Sequence, residues 1–207
     1  PIIITKASGV CLKIAGISCT LKQEILIQIE SPVIKVSELK NSEIGVLQTT
    51  SSHYGLLKMI ADNQLEGVQV RLISPMEAKD LFETKKLFGW AVWPPFVEEQ
   101  IIKGNGKVIE GGDAIIQSVM AIPDFVINKN PEIAKEFCKI LDDSKEWIKE
   151  NPEKAMNIVA NSVQQDIDVV DLAWPKHNWS AKLDKSLIED IQNKADFLAE
   201  RKETRNN

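Results

Sequence analysis

An α/β protein with a doubly wound sheet is predicted by two features of this sequence. Between Glu43 and Lys103 a short apolar run is followed three times by a segment whose apolar residues fall at helical spacing. The connections between these segments are short, which predicts parallel strands with helices on the sheet faces. The second feature is bulk composition. The 207 residues are 43% hydrophobic and 27% charged, enough for one good-sized domain or two small lobes. A net charge of -5 and dispersed Lys and Arg residues argue against nucleic acid as a partner. No apolar run approaches the ~20 residues that cross a bilayer.

Taken in order, Ile2–Ile4 reads as strand-like, followed by a loop through Ser8 and Gly9. Leu12–Ile17 is a strand, a polar turn follows, and Ile25, Ile27 and Ile29 alternate along a further strand that Pro32 terminates. Ser37–Lys40 is a short helical turn with Ser37 as its cap. The regular part then runs strand Ile44–Leu47, helix Ser52–Gln64, strand Val68–Ile73, helix Met76–Lys86, strand Gly89–Val92 and helix Pro95–Lys103. Gly104-Asn-Gly106 is a turn into strand Lys107–Ile109, and Met120–Ile127 is another strand, interrupted by Pro123. Asn130-Pro-Glu132 carries a helix-start signal, with a cap, a first-position proline and an acidic first turn. Ile133, Phe137, Ile140, Leu141 and Ile148 form the expected buried stripe of that helix. Asn151-Pro-Glu153 repeats the signal, Asp166–Trp174 is a weaker helix, and Lys185–Arg201 is the last one. Lys202–Asn207 reads as a polar, frayed tail.

Three cysteines exclude a disulfide framework. Cys11 and Cys19 bracket a strand that would hold them about 26 Å apart. Buried free thiols are expected for these two and for Cys138. The chain opens at Pro1 directly into an apolar run with no visible targeting segment, so further residues are expected upstream.

Chemistry concentrates in Gly45–Ile60. A strand feeds a helix through Gln48-Thr-Thr-Ser-Ser52, which gathers hydroxyls and unpaired amides at the positive end of a helix dipole. This is either an ordinary N-cap or a seat for a small anion or polar ligand head. In doubly wound sheets ligands bind at the carboxyl ends of the strands. Gln48–Ser52, Ser74-Pro-Met76 and Trp93-Pro-Pro95 are the loops that meet there.

These features together resemble the solute-binding proteins of the aliphatic sulfonate, taurine and nitrate ABC transporters, a superfamily that includes thiamine-pyrimidine binders. Ser31-Pro-Val-Ile-Lys-Val-Ser-Glu-Leu-Lys40 followed by Ile44-Gly-Val46 is similar to the family's entry into its second lobe. Thr50-Ser-Ser-His53 resembles its Gly-Ser-Ser-Ala-His turn, and Ala91-Val-Trp-Pro-Pro-Phe96 its Ala-x-Trp-Glu-Pro-Phe segment. Pro123-Asp-Phe-Val126, Asn130-Pro-Glu132 and Trp147–Pro152 resemble its return strand and lobe-one helices. Thr49 stands where the family commonly has glycine, Phe88 where it often has aspartate, and Pro94 where it has glutamate.

The resemblance implies a type II periplasmic-binding-protein fold with two doubly wound lobes. Lobe one, residues 1–30 and 127–207, would be incomplete; lobe two would be residues 31–126. Two hinge strands, near Ile25–Ile29 and Phe125–Asn128, would join them. It implies a monomeric, extracytoplasmic protein, periplasmic or lipid-anchored, that hands a small solute to an ABC permease by cleft closure. No catalysis, cofactor, metal or nucleic acid is implied. Thr49, Thr50, Ser51, Ser52, His53 and Trp93 are the ligand residues it points to. His53 faces either the cleft or solvent, and Trp93 either stacks on ligand or packs in the core. A metal would have to draw on Glu98, Glu99 and His177, which share no ligand spacing. The Glu98-Glu99 pair is expected on a wet helix face. Competing readings are a thiamine-pyrimidine synthase that uses pyridoxal phosphate and clustered cysteines, and a ligand-sensing domain. The scattered cysteines count against the first of these.

Overall fold

The computed structural model describes residues 1–203, so the tail beyond Glu203 lies outside the described residues. The elements are α1 (Ile2–Ala7), β1 (Leu12–Gln28), β2 (Glu43–Val46), α2 (Ser51–Asp62), β3 (Gln69–Leu72), α3 (Pro75–Glu83), β4 (Gly89–Val92) and α4 (Phe96–Ile102). There follow β5 (Gly106–Pro123), α5 (Asp124–Lys129), α6 (Pro131–Glu150), α7 (Pro152–Val163), α8 (Ile167–Ala173), β6 (His177–Asn178) and α9 (Lys185–Glu200). The chain folds as two compact units. One takes residues 1–21, 117–159 and those from Lys176 onward, and the other takes 22–116 and 160–175.

In the second unit the sheet order is β3-β2-β4-β1-β5. β2 pairs in parallel with both β3 and β4, as the strand–helix alternation predicts. β1 runs antiparallel to β4, so the sheet is mixed rather than wholly parallel. The strand period of two sorts β1 between two cores. Ile25 and Ile27 pack with Ile44, Val46, Leu56 and Met59 beneath α2, while Leu26 joins Phe82, Leu87, Trp90 and Val97 on the face of α3 and α4. α8 packs against α4 in the same unit.

Several expectations are corrected. Ile2–Ile4 is helical, not a strand: Thr5 and Ser8 hydroxyls bond back to Pro1 and Ile4 carbonyls, and Lys6 Nζ donates to Leu12 O. Ile2 and Ile3 line a groove of about 620 Å³ with Ile191, Ala195 and Ala199 of α9, so a helix face gives them apolar neighbours. The polar turn after Ile17 does not form. β1 is continuous for 17 residues, because pairing with β6 at Thr20 and Leu21 carries the ladder through the polar stretch. The turn expected at Ser37–Lys40 starts one residue earlier, as a 3-10 turn over Val36–Glu38. Glu38 accepts from the Ile34 and Lys35 amides, so the acidic residue, not Ser37, organises it. Phe125–Asn128, expected as a hinge strand, lies in α5; Pro123 ends the long strand β5 and Asp124 opens the helix.

The stripe expected to be buried on α6 is only partly so. Ile133, Phe137 and Ile140 are exposed, as is Trp147. Leu141 and Ile148 of the stripe are half-buried, Leu141 against Gly16, and the other inward contacts come from residues outside it: Cys138 Sγ donates to Ala15 O, and buried Lys145 donates to the carbonyls of Ile17 and Ala181. Of the three thiols expected to be buried, Cys19 is, Cys138 is half-buried, and Cys11 is exposed in the loop before β1.

Candidate functional site

The parallel register of β2, β3 and β4 brings the N-termini of α2, α3 and α4 to one edge of the second unit's sheet. α2 is the best-developed of the three. Thr50 is its N-cap, with extended backbone, and its Oγ1 accepts from the His53 amide at 3.3 Å. The same hydroxyl donates to Leu47 O at 2.6 Å, so Thr50 ties the strand end to the helix start. Tyr54 N bonds to Thr50 O. Among the described residues the first-turn amides of Ser51 and Ser52 take no partner at the positive end of the helix; Ser51 is half-exposed, whereas Ser52 is wholly buried.

Thr49 is exposed and holds φ at +63°, the left-handed region in which a glycine would be unstrained. The loop keeps the conformation that the motif's glycine would serve, but with a β-branched residue in it. Ser51 is half-exposed, its hydroxyl at the rim. Ser52 and His53 are buried, at 0% and 5% exposure, on the face of α2 turned to the sheet.

At the neighbouring strand ends, Ser74 caps α3 by accepting from Glu77 N at 3.2 Å. Trp93 leaves β4 half-buried and meets Phe96 edge-on, with ring centroids 6.0 Å apart. Phe96 in turn lies against the buried Trp90 at 5.3 Å. The Trp93 indole is thus held by an aromatic ladder while part of it stays accessible. The Pro94–Pro95 peptide is cis, which no sequence signal had announced.

The Glu98-Glu99 pair is not on a wet face. Both are buried, because α8 packs against α4 and α3 is tied to it through Lys79–Glu99 and Glu83–Gln100. Burial pushes the Glu99 carboxyl up, but hydrogen bonds from Lys103 (2.9 Å) and Lys79 (2.6 Å) outweigh it and hold the pKa below the usual range. This is structural ion pairing between helices. His177 belongs to the other unit, where its ring stacks on Trp179 at 5.3 Å. Among the described residues no group of three or more His, Cys, Asp or Glu side chains is gathered as a metal site would require.

Sequence reasoning misses Gln23. A polar turn is expected there, yet Gln23 is on β1, 2% exposed, and packed into α2 at Gly55. The available signal was a two-residue offset: Gln23 shares the parity of Ile25 and Ile27, the residues beneath α2.

No protein-family model matches the chain. In sequence it is similar to an aliphatic sulfonates-binding protein of Escherichia coli (strain K12), 26% identical over 122 residues that make up 57% of this chain and 38% of that protein. The match therefore spans well under half of that relative's length. In structure it is similar to the periplasmic aliphatic sulphonate binding protein SsuA from Escherichia coli, with a TM-score of 0.77 and 17% identity over 99% of this chain and 69% of that one. The alkanesulfonate-binding protein SsuA from Xanthomonas axonopodis pv. citri, bound to MOPS, gives 0.78 at 16% identity, covering 99% and 74%. The desulfurization enzyme DSZB shares the fold at a TM-score of 0.68 and 14% identity, covering 93% of this chain and 73% of that one. The chain has the fold of the type II periplasmic solute-binding proteins, and the resemblance to the sulfonate-binding family read from its motifs is borne out in sequence and in structure.

Proposed function

We propose that this chain is part of an extracytoplasmic solute-binding protein that delivers a small organic or oxyanion solute, of the sulfonate, taurine or nitrate kind, to an ABC permease. The observation that carries this reading is the start of α2, where two unpartnered amides, the Ser51 hydroxyl and the helix dipole converge at the carboxyl edge of parallel strands. An anionic head sits at the Ser51 amide and hydroxyl, the Thr49 turn presents them, and Trp93 flanks the organic body. His53 lines the floor of the site from its buried position. The protein works as a monomer whose lobes close on the solute to signal occupancy.

We read the protein as a binder rather than an enzyme. Burial raises the Cys19 thiol, against smaller lowering effects of Ser18 and Lys145, which disfavours a thiolate nucleophile. Cys138 is engaged with the Ala15 carbonyl.

The test is a thermal-shift and calorimetric screen of the full-length protein against alkanesulfonates, nitrate and pyrimidines. Ser51→Pro removes one amide and one hydroxyl at the first helical position, where proline is tolerated. Thr50, extended before it, accommodates the substitution. Binding of the stabilising solute should fall about tenfold or more with helicity unchanged, in line with loss of a charge-assisted pair of hydrogen bonds. Unchanged affinity in Ser51→Pro would reject the site.

A further inference from the structure

The unit that holds β6 and α9 buries a cation without a counter-charge. Lys145 of α6 is 6% exposed, the only buried lysine among the described residues. Its Nζ donates to Ile17 O at 3.1 Å and to Ala181 O. Both partners are neutral carbonyls, and among the described residues no carboxylate pairs with this ammonium. An ammonium carries three N–H donors, so one is left over. A buried charge is costly unless an opposite charge compensates it, and an uncharged donor would tie the same carbonyls without that cost.

Lys145 borders open space. A cavity of about 460 Å³, within the size range of small-ligand sites, is walled by Lys145, by β1 at Ala15–Ile17 and by Lys149, Ser180 and Lys182. All of these residues belong to the unit that does not contain α2. Lys149 lies one turn beyond Lys145 on α6, and Lys182 directly follows Ala181, whose carbonyl Lys145 holds. Two acidic residues, Asp142 and Glu146, border the same cavity. Glu146 is engaged by Lys149 at 2.7 Å, and that ammonium, with smaller contributions from Lys182 and Lys145, holds its carboxyl below the ordinary range. Three lysines against two carboxylates leave the cavity positive, and the Ser180 hydroxyl adds a further donor.

We propose that this cavity is a second ligand site, separate from the α2 site, that takes a phosphate group, free or as a monoester. Lys145 gives its third N–H to one phosphate oxygen, and Lys182 and the Ser180 hydroxyl take others. The negative charge of the group supplies what the buried ammonium lacks. Donors from α6 and from the segment before α9 call for three or more acceptor oxygens, where a carboxylate offers two. The site stands independently of the solute-binding reading.

Calorimetric titration of the full-length protein with inorganic phosphate, glycerol 3-phosphate and acetate at fixed ionic strength tests this. Wild type should bind at least one of the two phosphates about tenfold or more tighter than acetate. The tighter of the two identifies the group as free or esterified. Lys182→Gln, at an exposed position, should weaken that binding about fivefold or more while the melting temperature without phosphate stays unchanged. Ser51→Pro should leave it intact. Lys145→Met should abolish it, and because Lys145 also ties Ile17 to Ala181, Lys182→Gln decides the matter if that variant does not fold. Absence of phosphate binding by wild type, acetate binding as tight, or undiminished binding in Lys182→Gln overturns the proposal. Binding that is lost in Ser51→Pro also overturns it, since the phosphate then sits at α2.

Discussion

Helices α2 and α6 both carry apolar residues at helical spacing, α6 in the sharper pattern, and they meet different fates. α2 is 12 residues long and buries Leu56, Leu57 and Met59 together with Ser52, His53 and Gly55. α6 is 20 residues long and buries only Lys145 fully, while Ile133, Phe137, Ile140 and Trp147 remain exposed. α2 lies on a sheet face already lined by Ile25, Ile27, Ile44 and Val46. α6 has apolar residues on two adjacent faces, and β1 covers the one through Cys138 and Leu141. Helical spacing marks the faces a helix is able to bury, but a partner decides which one it does bury.

The most severe trial of this contrast is to truncate one apolar side chain on each helix. Leu56→Ala of α2, at 1% exposure among Ile25, Ile27 and Ile44, should cost about 2–5 kcal/mol in chemical denaturation. Phe137→Ala, at 37% exposure on α6, should cost about 1 kcal/mol or less. Comparable losses would show that Phe137 is covered in the protein under test.

The Lys79–Glu99–Lys103 cluster extends the contrast to pH. The Glu99 carboxyl is held below its ordinary value, so its contribution is complete above about pH 4.3, the unfolded value, and is lost as pH falls through the lower folded value. Wild type should therefore lose stability on acidification more steeply than Glu99→Gln below that point. Parallel acid-side curves for the two proteins would count against the ion pairs.

Smaller still is the coupling between Gly55 and Gln23. Gly55→Ala gains helix propensity but drives a methyl into the buried amide, so it should destabilise wild type by about 1 kcal/mol. In a Gln23→Ala background the same change should stabilise by about 1 kcal/mol, because only the propensity remains. Additive effects in the four-member cycle would mean that the amide moves aside freely. Thr49→Gly is expected to have the least effect, raising stability by about 0.5–1 kcal/mol as the strain at φ +63° is relieved against the extra freedom of an unfolded glycine.

Much of the second unit was legible because its signals are local. The strand and helix spacing from Ile44 to Lys103, the Ser74 and Asn130 caps, and the Thr50–His53 turn each depend on residues within a few positions. Thr49 stood out from the family motif alone, and the structure shows the backbone conformation that makes the substitution matter. Glu98, Glu99 and Gln23 were misread for a shared reason. Residue type alone sends polar side chains to solvent, whereas the packing of α8 on α4, the ties from α3 to α4, and the core shared by α2 and β1 join residues apart in sequence.

The order of elements, the helix starts and the loops that approach the binding edge were already written in the residues themselves, since capping chemistry and apolar period act over one or two turns of chain. The antiparallel placement of β1, the face α6 buries and the enclosure of Gln23 beside Gly55 emerged only on folding. Each of these rests on contacts between residues distant in sequence, where burial follows from what packs opposite and not from the residue's own type.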